Sequence, residues 1–257
     1  MKYGFIGCGN MGGAIAKAIS SNCSDLAVTD RSGKAKTLGL PYTSAAEIAA
    51  CADRIFLAVK PQMMAGVLEN LKPILQEKKP LLITMAAGLT MKKIDTMAGG
   101  GFPVIRIMPN TPTAIGKGVI QYCANDLVAP EVLGDWLADM APCGLVDELE
   151  ERLIDAASAL SGSGPAYMYV FLEALADGAV ACGIPRSKAY EYAAMTMAGA
   201  AEMYLQTKTH PGALKDAVCS PGGSTIKGLQ ALEQHGFRAA AMDCVAATYQ
   251  RNKELGK

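Results

Sequence analysis

A short apolar run, Tyr3-Gly-Phe-Ile6, passes directly into Gly7-Cys-Gly-Asn-Met-Gly12, and an Ala- and Ile-rich stretch of helical spacing follows from Met11 to Ser20. Glycines at this spacing, between a strand and a helix, tightly restrict what the chain can fold into. Gly7 permits the tight turn, and Gly9 lets the backbone come close to a ligand. Gly12 lets the helix pack against the strand, so that its first amides face an anion. The pattern in this context predicts a pyrophosphate-binding loop formed by Ile6, Gly7, Cys8, Gly9, Asn10, Met11 and Gly12. The alternative is a helix packed on a strand through small residues, with no ligand.

The rest of the first half keeps the same alternation. Strand-like runs recur at Leu26–Thr29, Arg54–Val59, Leu81–Thr84, Val104–Met108 and Val119–Tyr122, separated by helical stretches. Continuous apolar strands of this kind predict a parallel sheet covered on both faces. From Leu149 onward β-branched runs disappear, and Ala, Leu, Met and Glu form helical segments broken at Gly183-Ile-Pro185, His210-Pro-Gly212 and Pro221-Gly-Gly223. The expected fold is therefore α/β, an N-terminal Rossmann-type doubly wound sheet over residues 1–150 followed by an all-α domain over 151–257. The helix expected at Ala166–Cys182 is apolar around much of its circumference, so it has to be covered, and a partner subunit is the expected cover.

Composition narrows the function. Lys plus Arg and Asp plus Glu each number 24 in 257 residues, so no net charge draws the chain to nucleic acid or an anionic membrane. Hydrophobic residues make up 51% and charged residues 19%, which excludes disorder. The longest uncharged stretch, Ala156–Leu172, is interrupted by Ser161-Gly-Ser-Gly-Pro165, so no membrane span is expected. Glycines 4, 7 and 9 break the apolar N-terminus, so no secretory leader is expected either. Eight cysteines lie at least 15 positions apart, which gives no metal-ligand spacing and suits reduced thiols in a cytoplasmic protein.

Asp30, at the end of the second strand and 18 residues beyond Gly12, stands where an acidic residue takes the ribose 2′-hydroxyl of NAD. Arg31 and Ser32 follow, and a guanidinium with a hydroxyl suits a 2′-phosphate. The two cues conflict, with a lean to NADPH and NADH left open. Loops after the later strands, Ala58-Val-Lys-Pro61, Met85-Ala-Ala-Gly88 and Met108-Pro-Asn-Thr-Pro112, should complete the cofactor cleft. Within them Lys60 and Asn110 are candidate contacts, and Ala87 lies where a nicotinamide ring can approach backbone.

In the helical half, Ser220-Pro-Gly-Gly-Ser-Thr225 ends a loop and opens a helix. Consecutive amides from Gly222 through Gly223 and Ser224 to Thr225 suit a carboxylate, and Thr225 adds a hydroxyl; simple helix capping is the competing reading. Ser161–Pro165 reads as close helix packing. Neither histidine, 210 nor 235, falls in a catalytic pattern, and no hydrolase triad or metal cluster is present. Hydride transfer to an acceptor that already carries positive charge would need no such groups.

These residues resemble the pyrroline-5-carboxylate reductase family. The resemblance rests on Phe5–Gly12, Phe56–Pro61, Met108–Pro112, Leu160–Tyr167, Leu214–Asp216 leading into Ser220–Thr225, and His235–Arg238, in family order over nearly the whole chain. It implies NAD(P)H-dependent reduction of the ring C=N of 1-pyrroline-5-carboxylate to L-proline. It also implies a homodimer interlocked through the helical half, with dimers often assembled into a decamer. By the same resemblance, Ser220, Gly222, Gly223, Ser224 and Thr225 hold the substrate, Thr225 reaches its ring nitrogen, and Ala87 lies where substrate and nicotinamide meet. Cofactor contacts carry over to Ile6–Met11, Arg31, Val59, Lys60 and Ala87. Two departures bear on the cofactor: Asp30 stands where some members have Asn, and Ala45 stands where some have Asn near the adenosine. Competing readings are a related imine or β-hydroxyacid reductase, or a catalytically silent dinucleotide-binding protein.

Overall fold

A computed structural model describes residues 1–30 and 33–255. Among the described residues a seven-stranded sheet is built from β1 (Tyr3–Ile6), β2 (Leu26–Thr29), β3 (Arg54–Leu57), β4 (Leu81–Thr84), β5 (Val104–Met108), β6 (Gly118–Ala124) and β7 (Gly144–Glu148). The strands lie in the order β2-β1-β3-β4-β5-β6-β7. β1 pairs in parallel with both β2 and β3, so the chain reverses direction across the sheet at β1 and a crevice opens above the strand ends there.

The expected parallel sheet is observed with one exception, because β6 runs antiparallel to β5. The link between them is a short 3-10 turn, Thr111–Ile115, and a parallel return takes a crossover of a dozen residues or more. β7 was not expected. It is an edge strand whose Gly144-Leu-Val-Asp-Glu148 carries two acids and a single β-branched residue, and it returns parallel to β6 after α6 (Pro130–Met140). Acids on an edge strand discourage further pairing.

Alternation along the strands supplies two cores. On one face Tyr3, Phe5, Phe56 and Ile105 pack with Ile15 and Ile19 of α1 (Asn10–Ile19) and with Trp136 and Met140 of α6. The rings of Phe5 and Phe56 stack with centroids 4.4 Å apart. On the other face Ile55, Leu57 and Leu82 meet the helices α3 (Ala45–Cys51), α4 (Pro61–Lys78) and α5 (Met91–Ala98). Below the sheet, at the starts of β1 and β3, Arg54 donates to the Tyr3 hydroxyl at 2.9 Å and to Asp139 at 3.0 Å. Lys2 pairs with the same Asp139 at 2.8 Å. This polar network ties α6 to the end of the sheet opposite the crevice.

By packing, the chain divides after Pro165, later than the boundary expected near residue 150: Met1–Pro165 with the chain end from Thr248 forms one unit, and Ala166–Ala247 forms the other. The helix α7 (Glu151–Ser161) stays with the sheet because Arg106, buried on β5, pairs with Asp155 at 2.7 Å and with Glu151 at 3.6 Å.

The second unit is helical: α8 (Gly164–Ala181) runs into it, followed by α9 (Arg186–Thr207), α10 (Pro211–Ala217), α11 (Ser224–Gln234) and most of α12 (Phe237–Leu255). α10 starts at the expected break, because Pro211 suits a first helical position and His210 caps it by accepting the Gly212 N–H at 3.1 Å. Of the described residues in this unit only Ala176, Ala189 and Ala193 are buried. Tyr169, Val170, Met195 and Met242 are each more than 60% exposed, so within one chain these apolar helices have almost no core of their own.

Candidate active site

The glycine-rich loop takes the conformation its sequence predicts. Gly7 has φ +110, and a Cβ there would lie 2.6 Å from the Ala58 carbonyl oxygen. A Cβ on Gly12 would lie 2.4 Å from the Gly7 carbonyl oxygen and 2.8 Å from Ala58 Cβ, so this glycine lets α1 sit directly on β1 and β3. Gly9 differs, since a Cβ there meets nothing within 4 Å. Two glycines are fixed by packing and the third faces open space, as a loop that presents its backbone to a ligand requires.

That open space belongs to a cavity of about 450 Å³ above the ends of β1, β2 and β3. Of the expected contacts, Ile6, Gly7, Cys8 and Gly9 line it from the loop, Asp30 from β2, and Ala58, Val59 and Lys60 from β3. Lys60 is exposed and immediately precedes α4, whose first helical residue is Pro61. The sequence reading missed Met63, Val67, Asn70 and Leu71, which line the cavity from α4. Their spacing of three and four places along one helix face was the signal that could have found them. Ala45, at the start of α3, closes the same side with a methyl group.

Other expected contacts lie elsewhere. Asn10 and Met11 form the first turn of α1 outside the cavity lining, and Asn10 accepts a hydrogen bond from Lys34 at 2.7 Å. Ala87, in the loop after β4, packs on the small cluster of Met108, Cys123 and Ile154. Asn110 is buried with both ends of its amide engaged: Nδ2 donates to the Ser161 carbonyl at 2.9 Å, and Oδ1 accepts from the Val119 N–H at 2.9 Å. It works as a clasp between β5, β6 and the end of α7. Gln121 adds a hydrogen bond to the Ser161 hydroxyl at 2.9 Å, in keeping with the structural reading of Ser161–Pro165. Arg31 and Ser32 lie outside the described residues.

Asp30 is engaged locally, its Oδ2 accepting the Ala35 N–H at 3.0 Å. The Cys8 thiol is raised above its ordinary range, first by burial and then by the Asp30 charge, with Lys34 opposing. It is therefore a neutral packing group beneath the loop.

In the helical unit, Ser220–Thr225 forms a turn that opens α11. The Gly223 N–H closes back on the Ser220 carbonyl at 3.0 Å, so this amide is not among the outward donors that the sequence suggested. Gly222 sits at φ +71, and a Cβ on Gly223 would press against the Ser220 hydroxyl at 2.4 Å. Ser224 and Thr225 begin the helix with no side-chain cap, and their N–H groups are the ones a helix start leaves without intrahelical partners. Thr225 is exposed.

A doubly wound sheet whose glycine-rich loop opens on a cavity of this form defines a nicotinamide-dinucleotide-dependent oxidoreductase. A dinucleotide fits on the observations above: open space over Gly9, a free run of loop backbone, and a cation at Lys60. Comparison with known proteins agrees. Residues 151–255 match the family model for pyrroline-5-carboxylate reductase dimerisation, and residues 2–88 match the one for NADP oxidoreductase, coenzyme F420-dependent. The chain is 40% identical to the pyrroline-5-carboxylate reductase of Escherichia coli (strain K12), over 100% of this chain and 98% of that protein. A crystal structure of Plasmodium falciparum pyrroline carboxylate reductase with NADP bound superposes with a TM-score of 0.91 at 36% identity, over 100% and 98% of the two chains. The Coxiella burnetii pyrroline-5-carboxylate reductase gives 0.89 at 34% identity, over 100% and 98%. The chain belongs to the pyrroline-5-carboxylate reductase family.

Proposed function

We propose that this chain carries out the family's reaction, reduction of the C=N bond of 1-pyrroline-5-carboxylate to L-proline, with the residue roles that follow. The observation that carries the reading is the cavity over the glycine-rich loop, lined by Ile6, Gly7, Cys8 and Gly9 and by Ala58, Val59 and Lys60. NAD(P)H supplies the hydride when bound. The loop Ile6–Gly12 takes the pyrophosphate on its amides, with Gly9 as the point of closest approach. Ala58, Val59 and Lys60 border the dinucleotide, Lys60 adds a positive charge, and Pro61, outside the cavity lining, starts α4 behind them. Ala87 presents backbone to the nicotinamide and the substrate. Asn110 serves from behind, holding the β5–β6 turn in place.

The N–H groups of Ser224 and Thr225 bind the substrate carboxylate, with Ser220, Gly222 and Gly223 shaping the turn. The Thr225 hydroxyl donates a hydrogen bond to the ring nitrogen. As the carbon gains the hydride, electron density builds on the ring nitrogen, where the Thr225 hydrogen bond stabilises it, and the proton that completes the amine comes from solvent water. NADPH is the preferred reductant, supported by the engagement of Asp30 within its own loop.

The functional division places the dinucleotide site in residues 1–150 and dimerisation with substrate binding in 151–257. A homodimer is supported by the apolar helices Gly164–Ala181 and Arg186–Thr207, which bury only three alanines within one chain. Five dimers joined into a decamer are an extension of this reading. The eight free cysteines suit a cytoplasmic site of action, and among the described residues no helix is long and apolar enough to cross a membrane.

Thr225→Ala tests the assignment. Loss of one oriented hydrogen bond costs about 1–3 kcal/mol of transition-state stabilisation, a fall in kcat of roughly 5- to 150-fold. NADPH affinity, read by fluorescence titration, is expected to stay unchanged. Weakened cofactor binding with normal turnover would refute the role given to Thr225.

A further inference from the structure

We infer that Lys34 is a residue that distinguishes a 2′-phosphorylated dinucleotide from an unphosphorylated one. The inference rests on NADPH being the preferred reductant. The sequence left this choice to Asp30 and Arg31; the structure adds a third group. Lys34 begins the short helix α2 (Lys34–Thr37) that follows β2, and its Nζ donates to Asn10 Oδ1 at 2.7 Å. Asn10 opens α1 immediately after Gly9, so the ammonium bridges the loop after β2 to the glycine-rich loop. The opposing influences of Asp30 and Lys34 on the Cys8 thiol put both charges beside that loop.

The two charges are held differently. Asp30 Oδ2 is engaged by the Ala35 N–H within its own turn. Lys34 is half-buried, which lowers the cost of ordering its side chain, and one of its three donor positions is used on Asn10. The remaining two can take phosphate oxygens. A phosphate dianion gains both hydrogen bonds and the attraction of opposite charges from such a group, whereas a ribose hydroxyl at the same place brings no charge and a single acceptor oxygen. Lys34 therefore adds to the affinity for one cofactor and little to that for the other. Lys36, two residues further on and exposed, is the matched control on the same short helix.

Isothermal titration with adenosine 2′,5′-bisphosphate and adenosine 5′-monophosphate reads this without turnover. The intact protein is expected to bind the bisphosphate more tightly. Lys34→Gln should weaken bisphosphate binding by about 10- to 100-fold, the range for a hydrogen bond to a charged group, and leave the monophosphate within about twofold. Lys36→Gln should change neither. Added salt should weaken bisphosphate binding more steeply in the intact protein than in Lys34→Gln. Equal losses for both ligands, or no loss for either, would overturn the role of Lys34 while leaving the preference for NADPH intact. An intact protein that shows no preference for the bisphosphate would remove the NADPH reading and the Lys34 inference together. Pyrroline-5-carboxylate-dependent oxidation of NADH, measured on the same preparations, keeps both results separate from a failure of the reductase assignment.

Discussion

Two alanine substitutions in the glycine-rich loop should separate packing from ligand binding. In Gly12→Ala the new methyl would lie 2.4 Å from the Gly7 carbonyl oxygen and 2.8 Å from Ala58 Cβ. Ordinary C···O contact begins near 3.3 Å, so loop and helix must part by about 0.9 Å. Neither neighbour is the end of a flexible side chain, and forcing a methyl into such a place costs about 1–3 kcal/mol. At roughly 2–4 °C per kcal/mol for a chain of this size, Tm should fall by several degrees. Displacing the amides should also weaken NADPH binding. In Gly9→Ala the methyl meets nothing within 4 Å, so Tm should hold to within about 1 °C, surface changes being worth ±0.5 kcal/mol or less. The methyl nonetheless occupies space over the loop backbone, and NADPH affinity should fall at least tenfold, about 1.4 kcal/mol. Differential scanning fluorimetry and fluorescence titration of NADPH on the same samples provide both readouts. Wild-type NADPH affinity in Gly9→Ala would refute the placement of the pyrophosphate, and an unchanged Tm in Gly12→Ala would refute the close-packing explanation.

Other positions give independent checks. Asn110→Ala leaves the part-buried Val119 N–H and Ser161 carbonyl without their partner, and should cost about 1–3 kcal/mol in chemical denaturation; a loss below 0.5 kcal/mol would contradict the clasp. Burial opposes the charge on Asp139, but hydrogen bonds from Lys2 and Tyr3 and the charges of Lys2 and Arg54 outweigh it and hold the carboxyl below its ordinary value. A depressed carboxyl contributes stability that is present above about pH 4 and lost as pH falls through the folded value. Asp139→Asn should therefore destabilise the protein at pH 7, and its deficit should shrink in unfolding measured toward pH 3; a deficit that does not vary with pH would point to packing instead. Gly222→Ala must leave φ +71 or strain it, turning the adjacent amides, and should raise KM for pyrroline-5-carboxylate more than KM for NADPH. Equal rises in both would count against a carboxylate held by this turn.

The first half of the chain was legible because each cue is local. Gly7, Gly9 and Gly12 state their roles by spacing, and Leu26–Thr29 and Leu81–Thr84 fall on the strands that their apolar runs predict. The reversal of β6 was hidden because strand direction depends on the length of the Thr111–Ile115 link rather than on the residues of Gly118–Ala124. β7 was hidden because Asp147 and Glu148 on an edge strand read as the end of a loop. Asn110 illustrates a different limit: its position after a strand fits a cofactor contact, but its partners, Val119 and Ser161, lie 9 and 51 residues away and appear only once the chain is folded. Lys34 was passed over for a related reason, because nothing in Asp-Arg-Ser-Gly-Lys shows that the lysine reaches back to Asn10. The exposed Tyr169 and Val170 fit the expectation that the apolar helix expected at Ala166–Cys182 is left to be covered from outside its own chain.

The most direct measurement is steady-state oxidation of NADPH and NADH, each with and without pyrroline-5-carboxylate, with the product identified by chromatography. Oxidation that depends on substrate, yields L-proline in equal amount and has the higher kcat/KM with NADPH is the predicted result. No oxidation with either cofactor, from protein shown to be folded and to bind NADPH, would contradict the assignment and favour a silent dinucleotide-binding protein.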